Sequence, residues 1–204
     1  MNRILFNAGC AEFNSYDGRT DPNRLANLEY SLSKVIVNGS YLEFGVFNGH
    51  TINFISKLID PKIIYGFDSW QGIPEDWFIK NSLTDPNKSV TFPRGHWKAD
   101  QKPDVSNNVR LVDGWFKDSL PTFIKQTDIT PIAFLHIDSD LYSSAKTIFN
   151  HLSNYIVLNT MIVFDEWHAQ DHEKKAFLEW LEETDKTATA VSMTNTGQFT
   201  VLVN

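Results

Sequence analysis

The apolar residues of this chain fall into two patterns that alternate along it. Short segments rich in apolar residues, predicted to be strands, occupy residues 41–46, 62–67, 109–112, 131–137 and 157–164. Between them, apolar residues recur every three or four positions, as in Ile52, Ile55 and Ile59, and a short helix is predicted after Asp118 and Ser119. Strands that alternate with helices predict right-handed βαβ units on a parallel sheet, and hence an α/β fold.

The two ends of the chain depart from this alternation. Residues 1–18 are predicted to be irregular, and the first helix is predicted to begin at the caps Thr20 and Asp21. At the other end, residues 188–203 carry the turn sequence TNTG between two apolar runs, which predicts a β-hairpin. We therefore expect an N-terminal helical cap over residues 1–38 and an antiparallel strand near the C-terminus.

The stretch from residue 70 to residue 107 interrupts the pattern. It contains Trp70, Trp77, Trp97 and four of the eight prolines, and it shows little periodicity. A connection of this length inside a compact domain is usually functional, and its aromatic residues favour an ordered structure. We predict a lid-like insertion over residues 70–107, within a single domain that covers residues 1–204.

Composition and charge disfavour several classes of protein. The chain has 204 residues, of which 42% are apolar, and this is enough for the core of one domain. Its 25 acidic residues outnumber its 18 basic residues and leave a net charge of −7, which disfavours nucleic-acid binding. The apolar runs are shorter than the roughly 18 residues of a membrane-spanning helix, and the first residues do not form a signal peptide. We expect a soluble, cytoplasmic protein with no membrane partner.

The first candidate group follows the first two parallel strands. Gly45 and Gly49 stand at a strand-to-helix turn, where glycine lets the backbone approach a ligand and the helix N-terminus favours negative charge. Glu43, on the strand before them, is a candidate partner of a ligand ammonium group. Asp68 ends the second strand, 19 residues after Gly49, at the position where an acid binds the ribose of a nucleotide cofactor. A tight turn that requires glycine for its own backbone is the alternative.

The second candidate group is acidic. Asp138 and Asp140 follow one buried strand, and Asp165 and Glu166 follow the next, so all four meet at one edge of the sheet if these strands are neighbours. Because the single cysteine, Cys10, excludes a cysteine-built site, oxygen ligands favour a hard cation: Mg²⁺, with Mn²⁺ or Ca²⁺ as alternatives. Such a cation also removes the repulsion between clustered carboxylates. A helix N-cap at Asp140 is an alternative interpretation.

Two histidines near these acids are interpreted as structural. His136 has strand spacing to Asp138, so both side chains are expected on one side of the strand, and His168 follows the acidic pair at 165 and 166. For His136 we favour a hydrogen-bonded histidine within the sheet over a metal ligand. For His168 a loop position without a function is sufficient.

Five sequence motifs of this chain resemble those of a known family. They are, in order, YLEFGVFNGHT, YGFDSWQGIPEDW, VRLVDGWFKDSLP, FLHIDSDLYSSAKTI and MIVFDEW. Their run over roughly residues 39–170 is similar to that of macrocin O-methyltransferase-like enzymes. These are class I methyltransferases that use S-adenosylmethionine (SAM) to methylate sugar hydroxyls, commonly with Mg²⁺. The resemblance implies a Rossmann-like fold with a mostly parallel, seven-stranded sheet, a C-terminal antiparallel hairpin and SAM over the ends of the first two strands.

The resemblance also implies roles for individual residues. Those implied to bind SAM are Glu43, Gly45, Phe47, Gly49, Asp68, Asp113, Gly114 and Trp115. Asp138, Asp165 and Glu166 are implied to bind the metal, and Asp140 is implied to be the general base. The family usually has Asp-Asp where this chain has Asp165-Glu166, which keeps the charge and lengthens one ligand.

The expected activity is SAM-dependent O-methylation, in which a divalent cation holds two neighbouring hydroxyls of a sugar or similar polyol. A Mn²⁺-dependent nucleotide-sugar glycosyltransferase is one alternative, because it explains Asp138 and Asp140, but it leaves Glu43 and Asp68 without a role. A non-catalytic SAM-fold binding protein is another alternative, although such a protein would not require all the acidic residues of the two candidate groups. The expected partners are a small-molecule hydroxyl acceptor and a second copy in a homo-oligomer, for which aromatic residues among the first 40 positions offer an interface.

Overall fold

The computed structural model describes residues 3–6, 9–13, 21–80, 82, 85 and 87–204. The strands are β1 (Ile4–Leu5), β2 (Ala11–Phe13), β3 (Ser40–Phe44), β4 (Ile64–Asp68), β5 (Trp77–Ile79), β6 (Val90–Phe92), β7 (Val109–Asp113), β8 (Ile132–Ile137), β9 (Met161–Phe164), β10 (Ala188–Thr194) and β11 (Phe199–Val203). The helices are α1 (Asp21–Ser33), α2 (His50–Ile59), α3 (Phe116–Gln126), α4 (Tyr142–Leu152) and α5 (Glu173–Thr184). Outside the insertion, strands and helices alternate from β3 to α5, as the apolar pattern predicts.

Nine strands form the central sheet, in the order β1–β10–β11–β9–β8–β3–β4–β7, with β2 also paired to β10. β9, β8, β3, β4 and β7 are parallel neighbours, whereas β11 runs antiparallel to β9 and β10. The seven strands from β10 to β7 form the predicted mostly parallel sheet with its C-terminal hairpin, so this prediction is confirmed. Strand order reverses between β3 and β8, because the chain first moves outward to β4 and β7 and then returns. Ligands of open α/β sheets bind at such a switch point.

The N-terminal segment differs from the prediction that residues 1–18 are irregular. β1 and β2 both pair with β10. Ile4 of β1 is the register partner of Ala188, and Ala11 of β2 is the register partner of Ser192. These short extended segments satisfy backbone groups on the outer side of β10, so the described part of this segment extends the sheet. The helix predicted after it is confirmed as α1, while its predicted cap, Thr20, lies outside the described residues.

Helices cover both faces of the sheet. α3, α4 and α5 enclose an aromatic core on one face, with Phe149, Phe177 and Trp180 among its buried side chains. α1 and α2 bury Leu28 and Ile52 on the other face. Because both faces are covered, the central strands consist mainly of apolar residues. Among the described helices, none combines the length and apolarity needed to cross a bilayer.

Two helix starts differ from the interpretations of the sequence. α3 begins at Phe116, so Asp118 and Ser119 lie in its first turn and not before it, where the helix dipole stabilises an acidic side chain. The N-cap of α4 is Leu141, so the alternative of an N-cap at Asp140 is wrong. The Asp140 carboxylate is therefore not used to cap the helix.

The insertion over residues 70–107 has an ordered core of its own. β5 and β6 form a two-stranded antiparallel sheet, and Trp77 stacks on Phe92 with Trp97 beside it. Trp77 is also buried with Leu141, next to the start of α4. The described part of the insertion is therefore packed against the carboxyl edge of the sheet.

Candidate active site

A cavity of about 680 Å³ opens at the carboxyl ends of β3 and β8. The predicted site residues in its wall are Gly45, Phe47, Asp68, Trp115, Asp138, Asp140, Asp165 and Glu166. Four other predicted residues lie outside the wall, namely Glu43, Gly49, Asp113 and Gly114. Both predicted groups therefore meet at one cavity, and it lies at the switch point of the sheet.

Asp68 holds the loop that follows β3. Its Oδ2 accepts hydrogen bonds from the backbone N–H groups of Val46 at 2.9 Å and Phe47 at 2.8 Å. Its Oδ1 accepts a third, from the N–H of Trp70 at 2.7 Å. The carboxylate thus joins the end of β4 to the first cavity loop, and it faces the cavity as the predicted ribose acid must.

The two glycines are required chiefly by packing of the chain on itself. Gly45 has a φ of 94°, and a Cβ there would lie 1.8 Å from the carbonyl oxygen of Asp138. Gly49 has a φ of 78°, and its Cβ would lie 2.8 Å from that of Pro103. The positive φ values and these close contacts explain both glycines without a ligand, so their role in SAM binding stays a prediction, although the loop between them contributes Phe47 to the cavity wall.

Glu43 lies beneath the cavity and not in its wall. Its side chain is fully buried and accepts hydrogen bonds from Thr51 Oγ1 at 3.0 Å and from His136 Nδ1 at 3.1 Å. Glu43 and His136 are register partners on β3 and β8. Through its hydrogen bond to His136, Glu43 links β3 to β8. Its direct pairing with a ligand ammonium group stays a prediction.

The segment after β7 is only partly in the wall. Asp113 is the register partner of Asp68, and its Oδ1 accepts a hydrogen bond from Trp70 Nε1 at 2.8 Å while Lys102 binds its other oxygen. Trp70 therefore links the two acids, donating to Asp68 from its backbone and to Asp113 from its ring. Trp115, two residues further on, reaches the cavity.

The four acids of the second group converge as predicted. β8 and β9 are parallel neighbours, so Asp138 and Asp165 follow adjacent strands. Asp140 has a φ of 61°, which turns the chain sharply before α4. Together with Glu166, they form one acidic wall of the cavity.

Glu173, the first residue of α5, connects the two acidic loops and was not predicted from the sequence. It is fully buried, and its Oε1 accepts hydrogen bonds from the N–H groups of Ser139 at 2.8 Å and Asp140 at 3.1 Å. Its Oε2 accepts from the N–H of Glu166 at 3.2 Å. Burial raises the pKa of Glu173 to about 7, although the N–H groups of Ser139 and Glu166 oppose this shift. Glu173 therefore fixes the backbone on both sides of the acidic wall.

We predict that Glu173→Gln destabilises the protein. The amide NH₂ group replaces an acceptor oxygen and faces at least one backbone N–H group of Ser139, Asp140 or Glu166. Leaving buried donors unsatisfied costs about 1 to 3 kcal/mol, which urea unfolding measures. Glu182→Gln, on the exposed side of the same helix, is the control and should leave the unfolding free energy unchanged. Equal stability of the two variants would contradict this role of Glu173.

Arg24 of α1 also belongs to the site, and it too was not predicted. Its Nη1 lies 2.7 Å from Asp165 Oδ2 and its Nη2 lies 3.1 Å from Glu166 Oε1. The other oxygen of Asp165 accepts a hydrogen bond from Gln198 Nε2 at 2.6 Å. Gln198 is oriented by Asn27, whose Nδ2 donates to Gln198 Oε1 at 3.0 Å. Arg24 and Asn27 stand one helical turn apart on α1. The helix therefore contacts Asp165 directly through Arg24 and indirectly through Asn27 and Gln198.

Charge is distributed unevenly over the acidic wall. Burial and neighbouring carboxylates raise the pKa values of Asp138, Asp140 and Glu166 well above their usual range. Burial acts in the same direction on Asp165, but the charges of Arg24 and His136 and the hydrogen bond from Gln198 together outweigh it, so the pKa of Asp165 falls to about 2. The wall therefore carries more carboxylates than Arg24 neutralises, and a further positive charge would be favourable there.

The donor set fits a divalent cation. Ligand atoms of His136, Asp138 and Asp165 lie within 4.8 Å of one another. His136 Nε2 is buried without a hydrogen-bond partner among the described residues, since Asp165 Oδ1 is 3.9 Å away. Although burial lowers the pKa of His136, Asp165 and Glu43 raise it to about 10, and an imidazole must be neutral to bind a metal. The carboxylates of Asp138 and Asp165 would therefore be the primary ligands of such a cation, and His136 would be available only after it loses its proton.

This fold, with its cavity at the switch point, is that of class I methyltransferases. The solved structure of the O-methyltransferase NovP shares it with a TM-score of 0.64 and 22% sequence identity, and the match covers 88% of this chain and 78% of that chain. The chain belongs to the macrocin-O-methyltransferase (TylF) family, which its sequence matches over residues 18–200.

Two curated relatives are similar in sequence. Demethyldecarbamoylnovobiocin O-methyltransferase of Streptomyces niveus is 26% identical over 162 residues. 8-Demethyl-8-(2,3-dimethoxy-alpha-L-rhamnosyl)-tetracenomycin-C 4'-O-methyltransferase of Streptomyces olivaceus is 24% identical over 160 residues. Each match covers 71% of this chain and 60% of the relative, so the chain spans about 60% of the length of both.

Proposed function

We propose that this protein is a SAM-dependent O-methyltransferase that acts on a hydroxyl of a sugar or sugar-containing small molecule. The observation that carries the proposal is the single cavity at the switch point, which joins the Asp68-bound loop to the acidic wall. Family membership supports methyl transfer. The names of the curated relatives support a sugar-linked acceptor, since one of them methylates a rhamnosyl group.

On the cofactor side, Asp68 is proposed to bind the ribose hydroxyls. It already fixes Val46 and Phe47 through their N–H groups, so the loop is shaped before a ligand enters. Trp115 and Phe116 line the neighbouring wall and offer apolar surface to an adenine ring. This half of the cavity therefore suits a nucleoside, and the acidic half remains for the acceptor.

On the acceptor side, Asp140 is proposed to take the proton of the attacking hydroxyl. Methyl transfer requires the acceptor oxygen to be held in line with the sulfonium methyl group, and orientation supplies much of the rate enhancement. Glu173 accepts a hydrogen bond from the N–H group of Asp140, which fixes the backbone that carries the proposed base. Burial and the charge of Asp138 raise the pKa of Asp140, which makes its carboxylate a stronger proton acceptor.

Asp138 and Asp165, with Glu166 as the third predicted ligand, would hold the divalent cation. When bound, such a cation polarises a hydroxyl and eases its deprotonation near neutral pH. These carboxylates lie at the ends of β8 and β9, in the same cavity wall as Asp140, so they would hold the cation close to the proposed base. The metal dependence proposed here therefore rests on the donor chemistry of this wall.

The insertion over residues 70–107 is proposed to act as a lid. Its residues Ile73, Glu75, Arg94 and Trp97 line the cavity, and Glu75 accepts a hydrogen bond from Ser143 of α4. A lid at this position would exclude water from the transfer step. Its ordered core around Trp77 gives it a defined surface to present to the acceptor.

Ligand binding separates this function from its alternatives. We expect SAM to raise the melting temperature of the protein, and nucleotide-sugars with Mn²⁺ to leave it unchanged. Transfer of a labelled methyl group from SAM to a panel of deoxysugar-bearing acceptors then tests the activity. Stabilisation by nucleotide-sugars alone would indicate a glycosyltransferase. Absence of SAM binding at millimolar concentration would indicate a non-catalytic protein.

A further inference from the structure

Arg24 lies outside the five sequence motifs, yet its guanidinium contacts two carboxylates of the acidic wall. We propose that its guanidinium is an internal counter-cation of the metal-binding carboxylates, which a divalent cation must displace when it binds. This inference rests on the proposed function, because it concerns the cation site described above. It assigns to α1 a role in controlling that site.

The contacts of Arg24 fall on two of the three predicted metal ligands. One guanidinium spans Asp165 and Glu166, with Nη–O distances of 2.7 Å and 3.1 Å. The side chain is only 22% exposed, so the ion pair is shielded from solvent. Charge-assisted hydrogen bonds of this kind are short and strong. The positive charge that the clustered acids require is thus supplied in part by the protein itself.

Of the remaining oxygens of these two ligands, that of Asp165 is hydrogen-bonded, whereas that of Glu166 lies near His168 without a hydrogen bond between the two. Asp165 Oδ1 accepts from Gln198 at 2.6 Å, and Glu166 Oε2 lies 3.2 Å from His168 Nδ1. A divalent cation on the same carboxylates would bring like charges close together. Binding therefore requires one contact to be given up, and the guanidinium is the contact that repels the cation.

The structure allows Arg24 to move without undocking its helix. Arg24 lines the cavity, so its side chain has space to turn into. α1 is anchored independently, by Asn27 on Gln198 and by Ser31, whose hydroxyl lies 3.0 Å from that of Thr200. Asn27 and Ser31 are fully buried. Replacement of the guanidinium by a divalent cation therefore requires only a movement of the Arg24 side chain, while α1 stays in place.

Direct measurement of Mn²⁺ binding tests this proposal, with the free ion followed by electron paramagnetic resonance. We expect Arg24→Gln to bind Mn²⁺ about tenfold more tightly than the wild-type protein, which corresponds to about 1.4 kcal/mol. Arg24→Lys keeps the charge but loses the planar fork that spans two carboxylates, so an intermediate affinity is expected. Arg110→Gln, on the edge strand β7, is the matched control and should bind as the wild type does. Equal or weaker binding by Arg24→Gln would overturn the proposal.

Two further observations keep the test decisive. If Arg24→Gln does not fold, the comparison of Arg24→Lys with the wild type gives the same answer, and unchanged Mn²⁺ affinity there overturns the proposal. SAM binding is measured by calorimetry on the same samples. SAM binding without Mn²⁺ binding in every variant would overturn the counter-cation role and leave methyl transfer standing. Failure of the wild type to bind SAM would instead overturn the proposed function.

Discussion

Asp140→Asn is expected to lower the turnover number by about 10²- to 10⁴-fold while leaving the SAM dissociation constant nearly unchanged. The asparagine amide cannot accept the hydroxyl proton. The substitution otherwise disturbs little, because asparagine tolerates the left-handed conformation that residue 140 adopts at a φ of 61°. The N–H group of residue 140 can still donate to Glu173. The change therefore isolates proton transfer from backbone geometry.

Turnover of Asp140→Asn is measured by labelled methyl transfer, and SAM binding by calorimetry. Asp128→Asn is the matched control, because Asp128 is exposed in the loop before β8, at the opposite edge of the sheet. We expect this control to match the wild type in both measurements. Retained turnover together with lost SAM binding in Asp140→Asn would show that the residue serves the cofactor and not the acceptor.

Asp68→Ala is expected to abolish measurable SAM binding and to destabilise the protein by about 2 kcal/mol. The substitution removes the proposed ribose ligand and leaves three backbone N–H groups without their acceptor, those of Val46, Phe47 and Trp70. The loop after β3 then loses the contact that fixes it to β4. Both effects follow from one carboxylate, so they should appear together.

Calorimetry with SAM and urea unfolding test the two parts of this prediction separately. Asp128→Ala serves as the control for both. Asp68→Asn keeps one acceptor oxygen and is expected to retain part of the stability while binding SAM at least about tenfold more weakly. Full SAM affinity in Asp68→Ala would refute the ribose assignment, whatever happens to stability.

The sheet could be predicted from the sequence because its central strands are buried on both faces. Residues 131–137 are apolar apart from His136, and the structure buries all six residues of β8 within this segment. The meeting of Asp138 and Asp165 followed from the same logic, since carboxyl ends of parallel neighbours share one edge. In contrast, Ile4–Leu5 and Ala11–Phe13 form strands that are too short for a periodic signal.

The supporting residues of the site could not be predicted, because their partners are distant in the chain. Arg24 lies 142 residues from Glu166, Glu173 lies 33 residues from Asp140, and Gln198 lies 33 residues from Asp165. Only the packing of α1 and α5 on the sheet brings these groups together. Arg24, Asn27 and Ser31 repeat at helical spacing, but a polar stripe on a helix ordinarily indicates its solvent-facing side, so this pattern does not identify them as buried residues of the site.

The short strands β1 and β2 have a consequence beyond their size. They lie along the outer side of β10, one before and one after the irregular register near Ala190. An uncovered border strand offers its N–H and C=O groups to any extended peptide and promotes aggregation. Because β1 and β2 of the same chain occupy that border, the hairpin that presents Gln198 to Asp165 offers fewer free backbone groups to a foreign strand.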